Sequence, residues 1–445
     1  MYPIVAALLA CMGGPAEVPL PSQEPAPVFD PPAVVVYIVV DQLPLSLWDP
    51  VEPHVTAGFK RFTGEAGFSA TAHYAHAVTY TGPGHATLST GASPSVHGIV
   101  SNGWIENGEK VYCCAGVDKL NAEPLSDRVH DAGGLVASIS LKDRGAIMLG
   151  GNHPDALIYF DKSSGSFTGP DWAKADIVGV LTSEWDCQLP DELLAACPDS
   201  QAFEPKDAWG SDSFPHPPIG AENAAFFPYH PASGSVITDI AIKAIDELSL
   251  GGDDKPDLLT VSYSQTDYVG HMFGPKSREA MDAILVLDRD LGRLFTHLDA
   301  KVGEGNWTAV LSADHGAAPG DSRRVDQQIF MKTAQDAYAT AGFAGELRFI
   351  EPTIYLPEDV VADPIKRTAA AKAIVDGMAD YDGVAGVWAW REPGGFPADT
   401  PHRQSYLESV DNVRSGDLFV MVEEGVLFTW RGDATGTSHG TPYDY

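Results

Sequence analysis

AVVVYIVVD, Ala33 to Asp41, is an unbroken run of apolar, mostly β-branched residues that stops on a carboxylate. A strand with one wet face alternates in polarity, so an unbroken run predicts a strand buried on both faces of a parallel sheet. The pattern recurs downstream. PDLLTVSYSQTD ends at Asp267, and NWTAVLSADHG carries Asp314 and His315 just past its apolar run. Between these two, Ser277 to Leu298 places Met281, Ile284, Leu285, Leu291, Leu294 and Leu298 on one helical face, and a helix over about Ser235 to Leu248 precedes the Asp267 strand. Strand, helix, strand, with polar residues at the strand ends, predicts a doubly wound α/β sheet whose ligands sit at its carboxyl edge. Two stretches break this rhythm. Residues 151–234 are rich in Pro, Trp, Asp and Ser and are read as an inserted lobe capping the site. Residues 317–416 are irregular apart from a strand-like LRFIEPTIYL and a helix over Pro364 to Met378.

The 445 residues include 61 acidic and 28 basic side chains, a formal net charge of -33, and 44% hydrophobic residues. That field repels polyanions, which argues against nucleic acid or an anionic membrane surface as partner. An anionic substrate would need local positive charge from metal ions or a few placed Lys and Arg. The N-terminus, MYPIVAALLACMGG, has an apolar run too short to span a bilayer but suited to a signal-peptide core. Its Leu8-Leu9-Ala10-Cys11 resembles a lipoprotein signal (residues 1–11) with Cys11 lipidated, although no Lys or Arg precedes the run. Another export signal and an ordinary N-terminal segment stay open. Residues 12–32 read as a Pro-rich tether. The expectation is an exported protein, periplasmic or anchored to the outer membrane, touching membrane only through a lipid. Among the other cysteines, Cys113 and Cys114 are adjacent, and Cys187 with Cys197 would close a small loop. Their spacing fits no zinc motif.

Asp41, Asp267 with His271, Asp314 with His315, and His439 in GTSHGTPY each follow a strand or sit in a Gly-flanked loop. Three carboxylates and three imidazoles are a sensible donor set for two zinc ions. An Asp-His pair alone is more often a hydrogen-bonded turn; the set together points to metal. In VTYTGPGHATLSTG, Val78 to Gly91, Pro83 suits an early helical position, which puts Thr81 at or next to the N-cap beside a Gly-Pro-Gly kink. There its oxygen meets the positive helix end, where a metal could hold it as a nucleophile. Alone, a Thr before a helix is usually just a cap.

Together, VVYIVVDQ, TYTGPGHATLSTGASPSVHGIVSNGW, YSQTDYVGH, SADHG and GTSHG resemble the motifs of the alkaline phosphatase superfamily. The likeness is to the branch shared by nucleotide pyrophosphatase/phosphodiesterases and the threonine-nucleophile, phosphate-irrepressible alkaline phosphatases, and it runs from about Val34 to Tyr443. It implies an α/β/α sandwich over residues 33–445 with a mostly parallel central sheet. It also implies one zinc on Asp267, His271 and His439 and a second on Asp41, Asp314 and His315. Thr81 would bridge them and form a phosphothreonine intermediate. Asn102 would hold substrate oxygens, and Lys142 and Arg144 in SLKDRGAI match the Lys-x-Arg of the monoesterase group. A cationic pair there favours monoesters, whose non-bridging oxygens carry more charge than those of diesters. His85 and His97 lie inside the motifs without a ligand role and are expected to be structural. The expected activity is release of inorganic phosphate from small phosphate esters; a phosphodiesterase is the runner-up. Because the family normally continues past the last zinc histidine, a trimmed, poorly active homologue with a frayed His439 is the third reading. The Cys-x-Pro-x-Arg signal of sulfatases is absent. Nothing in the pattern speaks to oligomeric state.

Overall fold

The computed structural model describes residues 31–65, 67–69, 71–196, 214–429 and 437–445. The expected leader, nearly all of the expected tether, and Cys197 lie outside the described residues. No described helix is long and apolar enough to cross a membrane.

Six strands form the central sheet: β1 (Val34–Val40), β2 (Val136–Ser140), β3 (Ala156–Asp161), β4 (Ser166–Phe167), β5 (Asp257–Tyr263) and β6 (Trp307–Ala313). Their order is β4-β3-β2-β5-β1-β6. All neighbours run parallel except β3 and β4. The unbroken apolar run of β1 is explained by its place between β5 and β6, with helices covering both faces of the sheet. Every residue of β5 is buried. Register then does the positioning. Val40 pairs with both Tyr263 and Ala313, so three strands end level, and Asp41, the Asp267 turn and Asp314 emerge at one edge.

Five helices matter for the site: α1 (Thr81–Thr90), α2 (Asp143–Gly150), α3 (Ala232–Glu247), α4 (Gln265–Phe273) and α5 (Arg278–Leu298). Helix α5 starts where its sequence predicts, with Ser277 as N-cap accepting from the Ala280 N–H. Its apolar stripe is buried, each side chain contributing about 1.5–3 kcal/mol. The same helix buries acids that tie distant segments to the core. Asp288 accepts the N–H groups of Thr56, Ala57 and Phe59. Asp282 accepts from Trp185 Nε1 and the Gln188 N–H, and Glu279 meets His216 Nε2 at 3.0 Å.

Those ties alter the expected cap lobe. Of residues 151–234, β3 belongs to the sheet itself, and Ala173, Ile177, Leu181, Trp185 and Phe227 pack into the core that holds β1 and α5. The described part of this Pro- and Ser-rich stretch is a loop-rich layer whose buried apolar residues face the main core. The stretch 317–416 is likewise more regular than its sequence suggests. Arg348–Ile350, Thr353–Tyr355 and Val384–Trp388 join Leu418–Val422 in an antiparallel sheet, and Pro364–Gly377 is helical as expected. Short strands around Pro352 leave too few residues for a clear alternation.

Candidate active site

The carboxyl edge of β1, β5 and β6 gathers two donor groups. Asp267, His271 and His439 form one; Asp41, Asp314 and His315 form the other. These are the two sets implied by the motifs. In α4, Asp267 and His271 stand one turn apart on the same face, Oδ1 to Nε2 3.2 Å. His439 comes from the far end of the chain and is buried rather than frayed, stacked on His315 with ring centroids 3.5 Å apart.

Three observations test whether these residues suit cations. First, each imidazole turns Nδ1 to a backbone carbonyl: His271 to Thr437 (3.0 Å), His315 to Gly316 (2.9 Å) and His439 to Thr79 (2.9 Å). A carbonyl only accepts, so Nδ1 carries the proton and Nε2 keeps its lone pair, the orientation of ligating histidines. Second, Asp41 Oδ1 is buried without a hydrogen-bond donor among the described residues. Third, two of the three buried carboxylates share one ammonium, Lys142 Nζ, at 2.8 Å from Asp41 Oδ2 and 2.5 Å from Asp267 Oδ2. Burial and then Asp314 push the Asp41 carboxyl up to about 6 against the pull of Lys142. Burial raises Asp267 too, but Lys142 and His271 outweigh it and hold that carboxyl well below its usual range. The donor set is short of positive charge, which divalent cations would supply.

Thr81 lies between the two groups, buried, with Oγ1 3.5 Å from His315 Nε2 and 3.4 Å from Lys142 Nζ. It is the first residue of α1, with Tyr80 as N-cap. The expected Gly-Pro-Gly kink is absent, since Gly82, Pro83 and Gly84 are helical. The glycines serve approach instead. A Cβ on Gly82 would stand 2.9 Å from Asn102 Oδ1 and from Cys113 Sγ; one on Gly84 would stand 2.4 Å from the Asp314 carbonyl oxygen. Asn102 Oδ1 accepts the Gly82 N–H at 2.8 Å, which leaves its NH₂ end to donate. His85 bonds the Thr81 carbonyl and Ser262 Oγ, and His97 bonds Thr87 and the Ile99 N–H.

Helix α2 packs beside α1, so Lys142 and Arg144 at its start reach the same space. Arg144 Nε is buried without a partner among the described residues. Its Nη1 donates to Tyr112 Oη at 3.3 Å, and Tyr112 donates to Asp143 at 2.9 Å. Tyr112 precedes a disulfide between the adjacent Cys113 and Cys114, both buried, and the Cys113 N–H donates to the Asn102 carbonyl. The cysteine pairing is therefore vicinal; Cys187 forms no disulfide among the described residues.

Sequence reading missed Tyr112 and Gln42. Gln42 has a left-handed backbone (φ 62°), donates from its N–H to Asp314 Oδ1 (3.1 Å) and from Nε2 to Asp267 Oδ1 (2.9 Å). It thus couples the two acid groups. Its only signal was its place directly after the strand-ending Asp41.

The profile described as type I phosphodiesterase/nucleotide pyrophosphatase matches residues 35–442. The chain is 29% identical over 477 aligned residues to alkaline phosphatase PafA of Elizabethkingia meningoseptica, covering 93% of this chain and 85% of that one. It is 30% identical over 471 to alkaline phosphatase PhoV of Synechococcus elongatus, covering 93% and 84%. The crystal structure of wild-type PafA superposes with a TM-score of 0.83 at 25% identity, over 94% of this chain and 90% of that chain.

Proposed function

The chain belongs to the type I phosphodiesterase/nucleotide pyrophosphatase family, and from that premise we propose a hydrolase of phosphate monoesters that works with two zinc ions and uses Thr81 as nucleophile. The alkaline phosphatase activity named for its relatives supports this. The observation that carries it is the Lys142 ammonium, 3.4 Å from Thr81 Oγ1 and in contact with both acid groups.

Bound to Asp267, His271 and His439 and to Asp41, Asp314 and His315, the ions would supply Lewis-acid charge for the hydroxyl and the leaving oxygen. The chain's own groups do the rest. Thr81 Oγ1 attacks phosphorus, the alcohol leaves, and water then cleaves the phosphothreonine to release phosphate. Lys142 stays protonated: burial opposes its charge, but Asp267 and Asp41 outweigh that and hold its pKa above the usual lysine range. It therefore brings positive charge beside Thr81 Oγ1. The Asn102 amide and the Arg144 guanidinium take the remaining non-bridging oxygens, where the monoester carries more charge than a diester. The likeness of Leu8-Leu9-Ala10-Cys11 to a lipoprotein signal supports an exported, lipid-anchored protein. Metabolic labelling with palmitate, lost in Cys11→Ala, tests that placement.

The test of the activity compares p-nitrophenyl phosphate with bis-p-nitrophenyl phosphate on zinc-loaded protein. Monoester preference is expected, reduced in the Lys142→Ala, Arg144→Ala double variant. A wild-type preference for the diester would overturn it in favour of a phosphodiesterase.

A further inference from the structure

Lys162 is a third cation at the same edge of the sheet and has no part in the scheme above. It follows β3 directly, on an exposed turn. Its Nζ stands 4.1 Å from the centre of the Tyr268 ring and 5.1 Å from that of Tyr229. The two rings are 4.9 Å apart, tilted at 57°. Tyr268 is the neighbour of Asp267 on α4, and Lys142 Nζ lies 5.2 Å from the centre of its ring. One tyrosine thus carries both ammonium groups, the buried one reaching Thr81 and the other facing solvent.

The charges around Lys162 make this placement informative. Among the described residues Lys162 has no carboxylate in ion-pair range, in a chain with 61 acids and 28 bases. Partial burial against the two rings draws its ammonium down to about 8, Lys142 and Arg144 add to the pull, and Asp267 opposes it. An unpaired cation held near two others is unfavourable unless an anion joins them. In the proposed scheme the phosphoryl oxygens are taken by Lys142, Arg144 and Asn102. Lys162 faces solvent beside the same Tyr268 ring that Lys142 faces, with Tyr229 as a second aromatic neighbour, and is left for the alcohol half of the ester.

We propose that Lys162, Tyr229 and Tyr268 form a subsite for an anionic group on the alcohol part of the substrate. The preferred substrates are then phosphate monoesters with a second negative charge, a carboxylate or another phosphate, a few bonds from the scissile oxygen. The inference rests on the monoesterase reading.

The experiment measures kcat/KM for phenyl phosphate and 4-carboxyphenyl phosphate at pH 7.5 in wild type, Lys162→Ala, Lys162→Arg and Lys162→Glu. The carboxylated-to-plain ratio should fall about fivefold in Lys162→Ala, hold in Lys162→Arg and fall further in Lys162→Glu, while phenyl phosphate turnover stays near wild type. A ratio unchanged in Lys162→Ala, or equal losses on both substrates, overturns the subsite. Failure of the wild type to hydrolyse phenyl phosphate removes the monoesterase reading and the subsite with it.

Discussion

Gly84→Ala places two opposing effects on one methyl group. Within a helix, replacing Gly by Ala ordinarily stabilises by about 0.5–1 kcal/mol, and Gly84 is helical with no positive φ. At this position the new Cβ would stand 2.4 Å from the Asp314 carbonyl oxygen, 2.9 Å from Asp314 Cβ and 3.0 Å from its carbonyl carbon. Ordinary contact begins at 3.4 Å, so the closest pair must separate by 1.0 Å. Both partners are backbone or begin on it, so no rotamer change relieves the overlap. Overpacking of this kind costs about 1–3 kcal/mol, more than the helix gains. The displacement also falls between Thr81 and one donor group, because Gly84 is one turn from Thr81 and Asp314 belongs to the second triad. A misplacement of about 1 Å costs about 10²-fold in rate. The expected result is therefore a loss of about 10²-fold in kcat/KM for p-nitrophenyl phosphate, with the fold retained by circular dichroism. Gly179→Ala, where a Cβ meets nothing within 4 Å, serves as control and should be silent. Activity within threefold of wild type in Gly84→Ala would refute the idea that this close approach sets the place of Thr81.

Tyr112→Phe removes the oxygen that accepts from Arg144 and donates to Asp143. A lost hydrogen bond of about 0.5–1.5 kcal/mol should lower monoester kcat/KM about two- to twelvefold with little change for the diester, and equal losses would count against a positioning role. Dialysis against a strong chelator should abolish turnover, and zinc should restore it with two ions per chain by elemental analysis. Undiminished activity after complete metal removal would sink the two-ion scheme. His230 should tie stability to pH. Burial and then His216 lower its pKa to about 4, and its Nδ1 accepts the Ala232 N–H, which a protonated nitrogen cannot do. The unfolded state takes up the proton first, so the contribution is intact above about 6.5 and is lost by about 1.4 kcal/mol per pH unit as pH falls towards 4. His230→Gln should flatten the fall of the denaturant midpoint between pH 7 and 5; parallel slopes in the two proteins would contradict this.

The elements with the strongest periodicity were legible. β1, β5, β6 and α5 are long, apolar in one pattern throughout, and bounded by acids or a serine cap, and they lie within a few residues of where the sequence places them. The pieces that were not legible are short. A strand of three residues, such as Arg348–Ile350, contains less than two alternations, and the segment around Trp185 looks like loop until Asp282 and Glu279 of α5 are seen to receive it. Of the site, the two donor groups were legible through the motifs. Tyr112 was not, because a tyrosine before two cysteines has no pattern that points to an arginine 32 residues away.

The sequence by itself determined the chemistry available at the sheet edge: which residues end the strands, which side chains can ligate, and which hydroxyl opens α1. Those are properties of local order, written in runs of apolar residues and the polar residues that stop them. Only the tertiary structure decided how the glycines before His85 are used, which cysteine pairs with which, and that Gln42 links the two acid groups. It also decided that Lys142 and Lys162 share the ring of Tyr268. Each of these depends on a distance between elements far apart in the chain, and such distances follow from strand register and helix packing rather than from any local pattern.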